Sequence, residues 1–318
     1  RISTLDTVDG PTPADDGPAP IEPSSLIAGH YLCGELLGTG AFAEVYRAVD
    51  AVDGTQAAIK LLKLSGRGAD QAHISLFRRE ALTLAHLDHR GIVSYREHGY
   101  DSVHQRHFLA MEIVEGEPLW GLRSVRQILL CMDDLLAALA YAHSRGFVHR
   151  DLKPGNVSRL TERRDTWVKL FDFGVAHRDQ VGQRASDRQT QRSMRVGTPA
   201  YMSPEQAAGE SVSVGPASDL YSFGIVLYQL LTGTLPFRGK IMELCVAHMA
   251  LPVPDAVFLL PTAPAVEDEL RALLRWLLAK PYHARPETAA DVRRVLGGIV
   301  ERLAPLGPTD LPLDRPAG

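Results

Sequence analysis

The sequence predicts an α+β fold of two lobes: a small antiparallel β-sheet lobe with one main helix, then a larger, mainly helical lobe. Three observations predict it. Short β-like runs at 31–37, 44–49, 56–62 and 106–114 fill the first part of the chain, interrupted by one helical stretch at about 69–86. From about Gly116 onward the apolar residues recur at helical spacing instead. With 318 residues, 45% of them hydrophobic, the chain is also large enough to bury a substantial core. A sheet-rich unit followed by a helical one implies a cleft at their junction, where ligands tend to sit.

The elements follow in order. Residues 1–28 hold five prolines and five acidic residues with Arg1 as the only base, the composition of a disordered linker. The folded domain spans 29–303, with the sheet lobe to about 115 and the helical lobe from about 116. Val125, Ile128, Leu129, Met132, Leu135, Leu136 and Leu139 mark one face of a long helix, and Gly146 offers its stop. Further apolar helices are expected at about 218–231, 266–279 and 287–303. Residues 304–318 form a Pro-rich tail. No internal repeat is evident. The start lacks both Met and a signal-peptide pattern, which suggests a segment of a longer protein.

Composition narrows the function classes. A formal net charge of -4 provides no basic field for nucleic acid. No run approaches the ~18 apolar residues that a membrane helix needs. Cys33, Cys131 and Cys245 lie far apart without metal-ligand spacing, so free thiols in a reducing, cytoplasmic compartment are expected.

Five signals carry chemistry. GTGAFAEV, Gly38 to Val45, falls between two β-like runs and so belongs to a hairpin, not to the strand-to-helix turn of a dinucleotide site. Its glycines would let backbone N–H groups approach phosphate oxygens. AAIK ends at Lys60 in a β-like run, from which a lysine could reach inward. Glu80 lies on the following helix, where it could pair with Lys60. Each of these alone is weak: a Gly-rich turn without ligand, an exposed strand lysine and a solvated glutamate are common. HRDLKPGN, His149 to Asn156, is strong. It places Asp151 to orient a hydroxyl, Lys153 to neutralise charge and Asn156 to ligate a metal within one loop. KLFDFG follows, with Asp172 sixteen residues after Asn156, a hard oxygen ligand suited to Mg2+. Phe173 is expected to pack inside and Gly174 to turn the chain.

In order and spacing these motifs, with GTPAYMSPE and SDLYSFG after them, resemble the eukaryotic-type (Hanks-type) protein kinase family over roughly residues 30–303. HRDLKPGN with GTPAYMSPE is similar to the Ser/Thr branch, and MSPEQA with SDLYSFGIVLYQLLTG to bacterial members. The resemblance implies a bilobal protein kinase fold that transfers the γ-phosphoryl group of ATP, with Mg2+ (or Mn2+), to Ser/Thr hydroxyls of proteins. It implies that Gly38, Thr39, Gly40, Ala41 and Phe42 form the phosphate loop and that Val45 and Ala58 pack on adenine. Lys60 would bind the α/β-phosphates and pair with Glu80. Met111 would line the rear of the pocket, and Glu112 and Val114 would offer hinge backbone bonds. Asp151 would be the base, supported by Lys153 and Thr198, and Asn156 and Asp172 would hold the metal. Glu205 and Arg285 would form an ion pair, and Asp219 would brace the catalytic loop. Two departures, Ala43 for the third loop glycine and Ser203 in the usual Ala-Pro-Glu, are conservative.

The resemblance also implies that Arg150 meets a phosphate on the activation segment, which holds Ser186, Thr190, Ser193 and Thr198; a signalling role with autophosphorylation at Thr190 or Ser193, through transient self-association, is therefore expected. Two rivals remain at this level: a nucleotide-binding pseudokinase scaffold and a small-molecule kinase. The presence of Lys60, Glu80, Asp151, Asn156 and Asp172 argues against the first, and GTPAYMSPE against the second.

Overall fold

The computed structural model describes residues 21–40, 42–63, 70–160, 168–173 and 199–303. The chain divides into two compact units, residues 1–75 with 98–110 and residues 76–97 with 111–318.

The first unit is built on a sheet of order β1-β2-β3-β4-β6-β5: β1 (Leu26–Ile27), β2 (Tyr31–Thr39), β3 (Ala43–Asp50), β4 (Gln56–Leu62), β5 (Tyr95–Asp101) and β6 (Arg106–Glu112). The last two strands run across the boundary between the units. Strands β1 to β4 pair antiparallel, as alternating apolar residues joined by short turns require. One sheet face buries Ile27, Tyr31, Cys33, Tyr46, Ala48, Ala57, Ile59 and Leu61 against Phe108 and Ala110.

Residues 21–28 correct the expected linker, which was placed at 1–28. Ile27 is 0% exposed and Ile21 is buried beside it. The Ala28 N–H donates to Asp101 Oδ1 at 2.9 Å, and the Ile21 N–H to Tyr46 Oη at 3.1 Å. Two isoleucines in a core outweigh a Pro-rich composition.

Helix α1 (Asp70–Ala85) begins in the first unit and continues into the second. The second unit then holds α2 (Val125–Ser144), α3 (Pro204–Ala207), α4 (Pro216–Thr232), α5 (Ile241–Ala250), α6 (Pro264–Leu277) and α7 (Ala289–Arg302). Ser124 caps α2 by accepting the Gln127 N–H, and Gly146, at φ +79°, ends that helix in a conformation a side chain would strain. Helix α4 is apolar nearly all round and lies in the core. A Cβ at Gly224 would come within 2.9 Å of Leu277 and Leu278, so the glycine permits the close approach of α4 to α6.

A second sheet of order β7-β8-β9 was not foreseen: β7 (Gly116–Pro118), β8 (Val157–Leu160) and β9 (Val168–Leu170). It matters for function. Strand β8 starts immediately after Asn156, and β9 ends two residues before Asp172. The pairing Val157↔Leu170 and the Phe171 N–H to Asn156 O bond, 3.0 Å, therefore bring the two motif loops side by side.

Candidate active site

In the first unit, sheet register sorts the predicted nucleotide residues. Val45 lies opposite Lys60, Arg47 opposite Ala58, and Gly38 opposite Val45. Residues directly opposite share a face, and alternate residues face opposite ways. Gly38, Val45, Ala58 and Lys60 therefore share the face turned away from the core residues Tyr46, Ala48, Ala57, Ile59 and Leu61. Ala58 is buried and Lys60 half-buried, whereas Gly38, Thr39 and Gly40 are exposed. Phe42 closes the hairpin tip with its ring 4.5 Å from that of His73. Ala41 lies outside the described residues. Lys60 and Glu80 fall in different units, and their pairing stays an expectation.

In the second unit, the catalytic loop is held from three sides. Asp219, at the start of α4, is fully buried. Its Oδ1 accepts the Arg150 N–H at 2.7 Å, and its Oδ2 accepts the His149 N–H at 2.8 Å and His143 Nε2 at 2.8 Å. Burial alone would raise the Asp219 carboxyl, but the His143 bond and charge, then the loop contacts, hold it below the usual carboxylate range. Gln206 Nε2 donates to Arg150 O at 2.7 Å from α3. His149 Nε2 donates to Phe171 O at 3.1 Å, which makes Nδ1 the acceptor for the Asp151 N–H at 3.3 Å. The His149 ring also sits 4.8 Å from that of Phe173, which is buried as expected.

Arg150, held by these bonds, lies at φ 67°, and Asp172 at φ 56°, where a non-glycine residue is strained. Asp151 receives Lys153 Nζ at 2.6 Å and Asn156 Nδ2 at 3.1 Å, both on Oδ2. Among the described residues, its Oδ1 is left to accept a further hydrogen bond. Asn156 Nδ2 also donates to Asp151 O at 2.8 Å, which fixes the amide and turns Oδ1 the other way. That oxygen and the Asp172 carboxylate are hard donors of the kind a small divalent cation takes. Among the described residues no group of three or more His, Cys, Asp or Glu could hold a metal.

Met111 is buried, and Val114 is half-buried in the segment after β6. The Glu112 carboxylate accepts Lys169 Nζ at 2.7 Å and the Ser94 N–H at 3.1 Å, and the Glu112 N–H donates to Ser94 O at 2.8 Å. Its side chain is thus committed to neighbouring elements. Glu205 and Arg285 form the expected pair, 2.8 and 2.9 Å, with side chains 3% and 0% exposed. The remaining guanidinium donors reach Ala279 O, Ala217 O and Lys280 O. Against the cost of burial, the Arg285 and Ser218 bonds hold the Glu205 carboxyl below its ordinary value.

Residues 174–198, with Gly174, Ser186, Thr190, Ser193 and Thr198, lie outside the described residues. Sequence reasoning missed His143, Lys169 and Gln206, because a lone polar residue at a helix end or strand carries no spacing signal. It also missed His248, buried in α5 with its Nδ1 3.0 Å from Tyr221 Oη. The three cysteines are free and buried. Burial, then the Asp101 charge, pushes the Cys33 thiol up to about 11, and burial, more than the opposing Arg159 charge, pushes Cys131 up to about 12.

Residues 31–294 match the protein kinase domain family. The chain is 38% identical over 281 residues to the DNA damage-responsive serine/threonine-protein kinase RqkA of Deinococcus radiodurans, covering 85% of this chain and 40% of that protein. It is 34% identical over 298 residues to the serine/threonine-protein kinase PknA of Mycobacterium tuberculosis, covering 90% and 65%. To the serine/threonine-protein kinase PksC of Streptomyces coelicolor it is 41% identical over 283 residues, covering 85% and 49%. The chain thus spans between 40% and 65% of these relatives' lengths. Crystal structures of the Mycobacterium tuberculosis PknI kinase domain share the fold, with a TM-score of 0.65 at 22% identity over 89% of this chain and all of that one.

Proposed function

Because this chain belongs to the protein kinase domain family, we propose that it is an ATP-dependent serine/threonine protein kinase, transferring the γ-phosphoryl group to hydroxyls of protein substrates. The observation that carries this reading is the Asp151 carboxylate, with Oδ2 fixed by Lys153 and Asn156 and Oδ1 left to accept. Phosphoryl transfer needs positioning and charge neutralisation more than covalent chemistry. Asp151 orients the attacking hydroxyl and takes its proton. Lys153, 2.6 Å from Asp151, offsets charge on the transferred group. Asn156 and Asp172 hold a divalent cation, Mg2+ with Mn2+ as a substitute, which supplies positive charge to the phosphate oxygens when bound. Gly38, Thr39, Gly40, Ala41 and Phe42 cover the phosphates, Lys60 binds them while paired to Glu80, and Val45 and Ala58 pack on adenine before Met111. With the Glu112 side chain committed to Lys169, its backbone carbonyl and the Val114 backbone make the adenine bonds.

Among the described residues no helix is long and apolar enough to cross a membrane. The reading places the reaction in the cytoplasm, on protein substrates in signalling. Activation comes through transient self-association and autophosphorylation at Thr190 or Ser193, whose phosphate Arg150 meets. The test is incubation with labelled ATP, a divalent cation and a generic basic protein. Transfer that disappears in Asp151→Asn supports the reading. Nucleotide binding without transfer would make the protein a pseudokinase scaffold.

A further inference from the structure

The Gly-rich hairpin is fastened by a residue outside every motif. Thr39 and Glu44 face each other across β2 and β3, and the Gly40 N–H to Ala43 O bond, 2.8 Å, closes the tip. Lys63, the first residue after β4, reaches both sides of that tip. Its N–H donates to Phe42 O at 2.7 Å, and its Nζ donates to Thr39 Oγ1 at 2.7 Å.

Lys63 is itself held by a buried charge cluster. Its Nζ lies 3.8 Å from Glu44 Oε1. Glu44 Oε2 accepts Arg106 Nη2 at 2.9 Å and Tyr46 Oη at 3.2 Å. Arg106, 1% exposed, also donates to Leu62 O at 3.0 Å and Leu61 O at 3.3 Å, the carbonyls just before Lys63. A buried pair of this kind adds little net stability. What it adds here is geometry: three strands are locked where the hairpin leaves the sheet.

We propose that Lys63 is a positioning residue for the nucleotide phosphates, clamping the Gly-rich hairpin through Thr39 while the Glu44–Arg106 pair holds the clamp in register. The inference rests on the kinase reading and deepens it. The exposed hairpin from Gly38 to Gly40 needs a fixed position before it can lie against an anion. A hairpin ordered in advance binds more tightly because less freedom is lost on binding.

The experiment is calorimetric titration of the whole chain with a non-hydrolysable Mg·ATP analogue and, separately, with adenosine, which has no phosphates. Lys63→Met, which keeps the aliphatic stem, is expected to weaken the triphosphate about five- to tenfold, the equivalent of one lost hydrogen bond, and to leave adenosine unchanged. Thr39→Val should reproduce the effect, and the double variant should be no weaker than either single one. Equal weakening of adenosine would reduce Lys63 to a general structural role and overturn the proposal. So would unchanged triphosphate affinity, or a further full loss on adding Lys63→Met to Thr39→Val, which would mean that Lys63 acts independently of Thr39. A wild-type protein that binds neither ligand would instead overturn the kinase reading, and this inference with it.

Discussion

Asp219→Asn tests the claim that one buried carboxylate shapes the catalytic loop. The wild-type side chain accepts three hydrogen bonds, from Arg150 N–H, His149 N–H and His143 Nε2. An amide can accept on only one oxygen, so its least harmful orientation turns the NH2 against the Arg150 N–H. That removes one bond to a charged acceptor and leaves two donors facing each other in the core. The two surviving bonds lose their charge. At about 1.5–3 kcal/mol for each bond to a charged group, with a buried donor left unsatisfied, the loss should reach about 3–5 kcal/mol. The bond that fails is the one that secures the strained Arg150 conformation next to Asp151. A displacement of about 1 Å at the base costs on the order of a hundredfold in rate. Urea unfolding followed by fluorescence should show the stability loss. Steady-state transfer should show kcat down by about a hundredfold with the KM for ATP within about twofold. A folded variant that keeps kcat within about threefold of wild type would show that the Asp219 bonds do not position Asp151.

Other perturbations follow from the same geometry. Glu205→Gln leaves Arg285 buried without its carboxylate and should cost about 3–5 kcal/mol by denaturant titration, while joint replacement of both by apolar residues should cost less. Ile27→Ala should cost about 2–5 kcal/mol, because its side chain is wholly inside the sheet core; an unchanged melting temperature would return residues 21–28 to the linker. His248 is depressed from 6.5 to about 4 by burial first and the Lys280 charge second. The unfolded chain therefore takes up its proton first, and this contribution to stability is intact above pH 6.5 and lost as the pH falls towards 4. At about 1.4 kcal/mol for each pH unit, the loss totals about 3 kcal/mol, and His248→Gln should flatten that part of the acid profile.

Much of the fold was legible because its signals are periodic or local. The runs at 31–37, 44–49, 56–62 and 106–114 correspond to β2, β3, β4 and β6, and the helical stretches to α1, α2, α4, α6 and α7. Strand β1 is only two residues long, too short a run to show alternation, and it sits in a stretch whose prolines and acidic residues dominate the local composition. In the second sheet β7 pairs with β8 some forty residues on, as Glu117↔Arg159 shows, and such pairing carries no short-range signature. Helix α5 went unread although its residues are apolar, because they show no clear one-sided stripe. In the site, the motif residues Asp151, Lys153 and Asn156 were readable as a unit because they share one loop. The residues that hold the loop were of two kinds. Asp219 and the Glu205–Arg285 pair were reached only through the family resemblance. His143, Gln206 and Lys63 were invisible, since an isolated polar side chain shows its partner only once the chain has folded.

The proposed phosphoryl transfer rests on Asp151, held by Lys153 and Asn156. The most direct measurement is single-turnover transfer from labelled Mg·ATP to a protein hydroxyl by wild type and Asp151→Asn, with nucleotide affinity measured alongside. The rate should be lower by about a hundredfold or more in the variant, with affinity unchanged. Transfer at the wild-type rate by Asp151→Asn would contradict this role of Asp151.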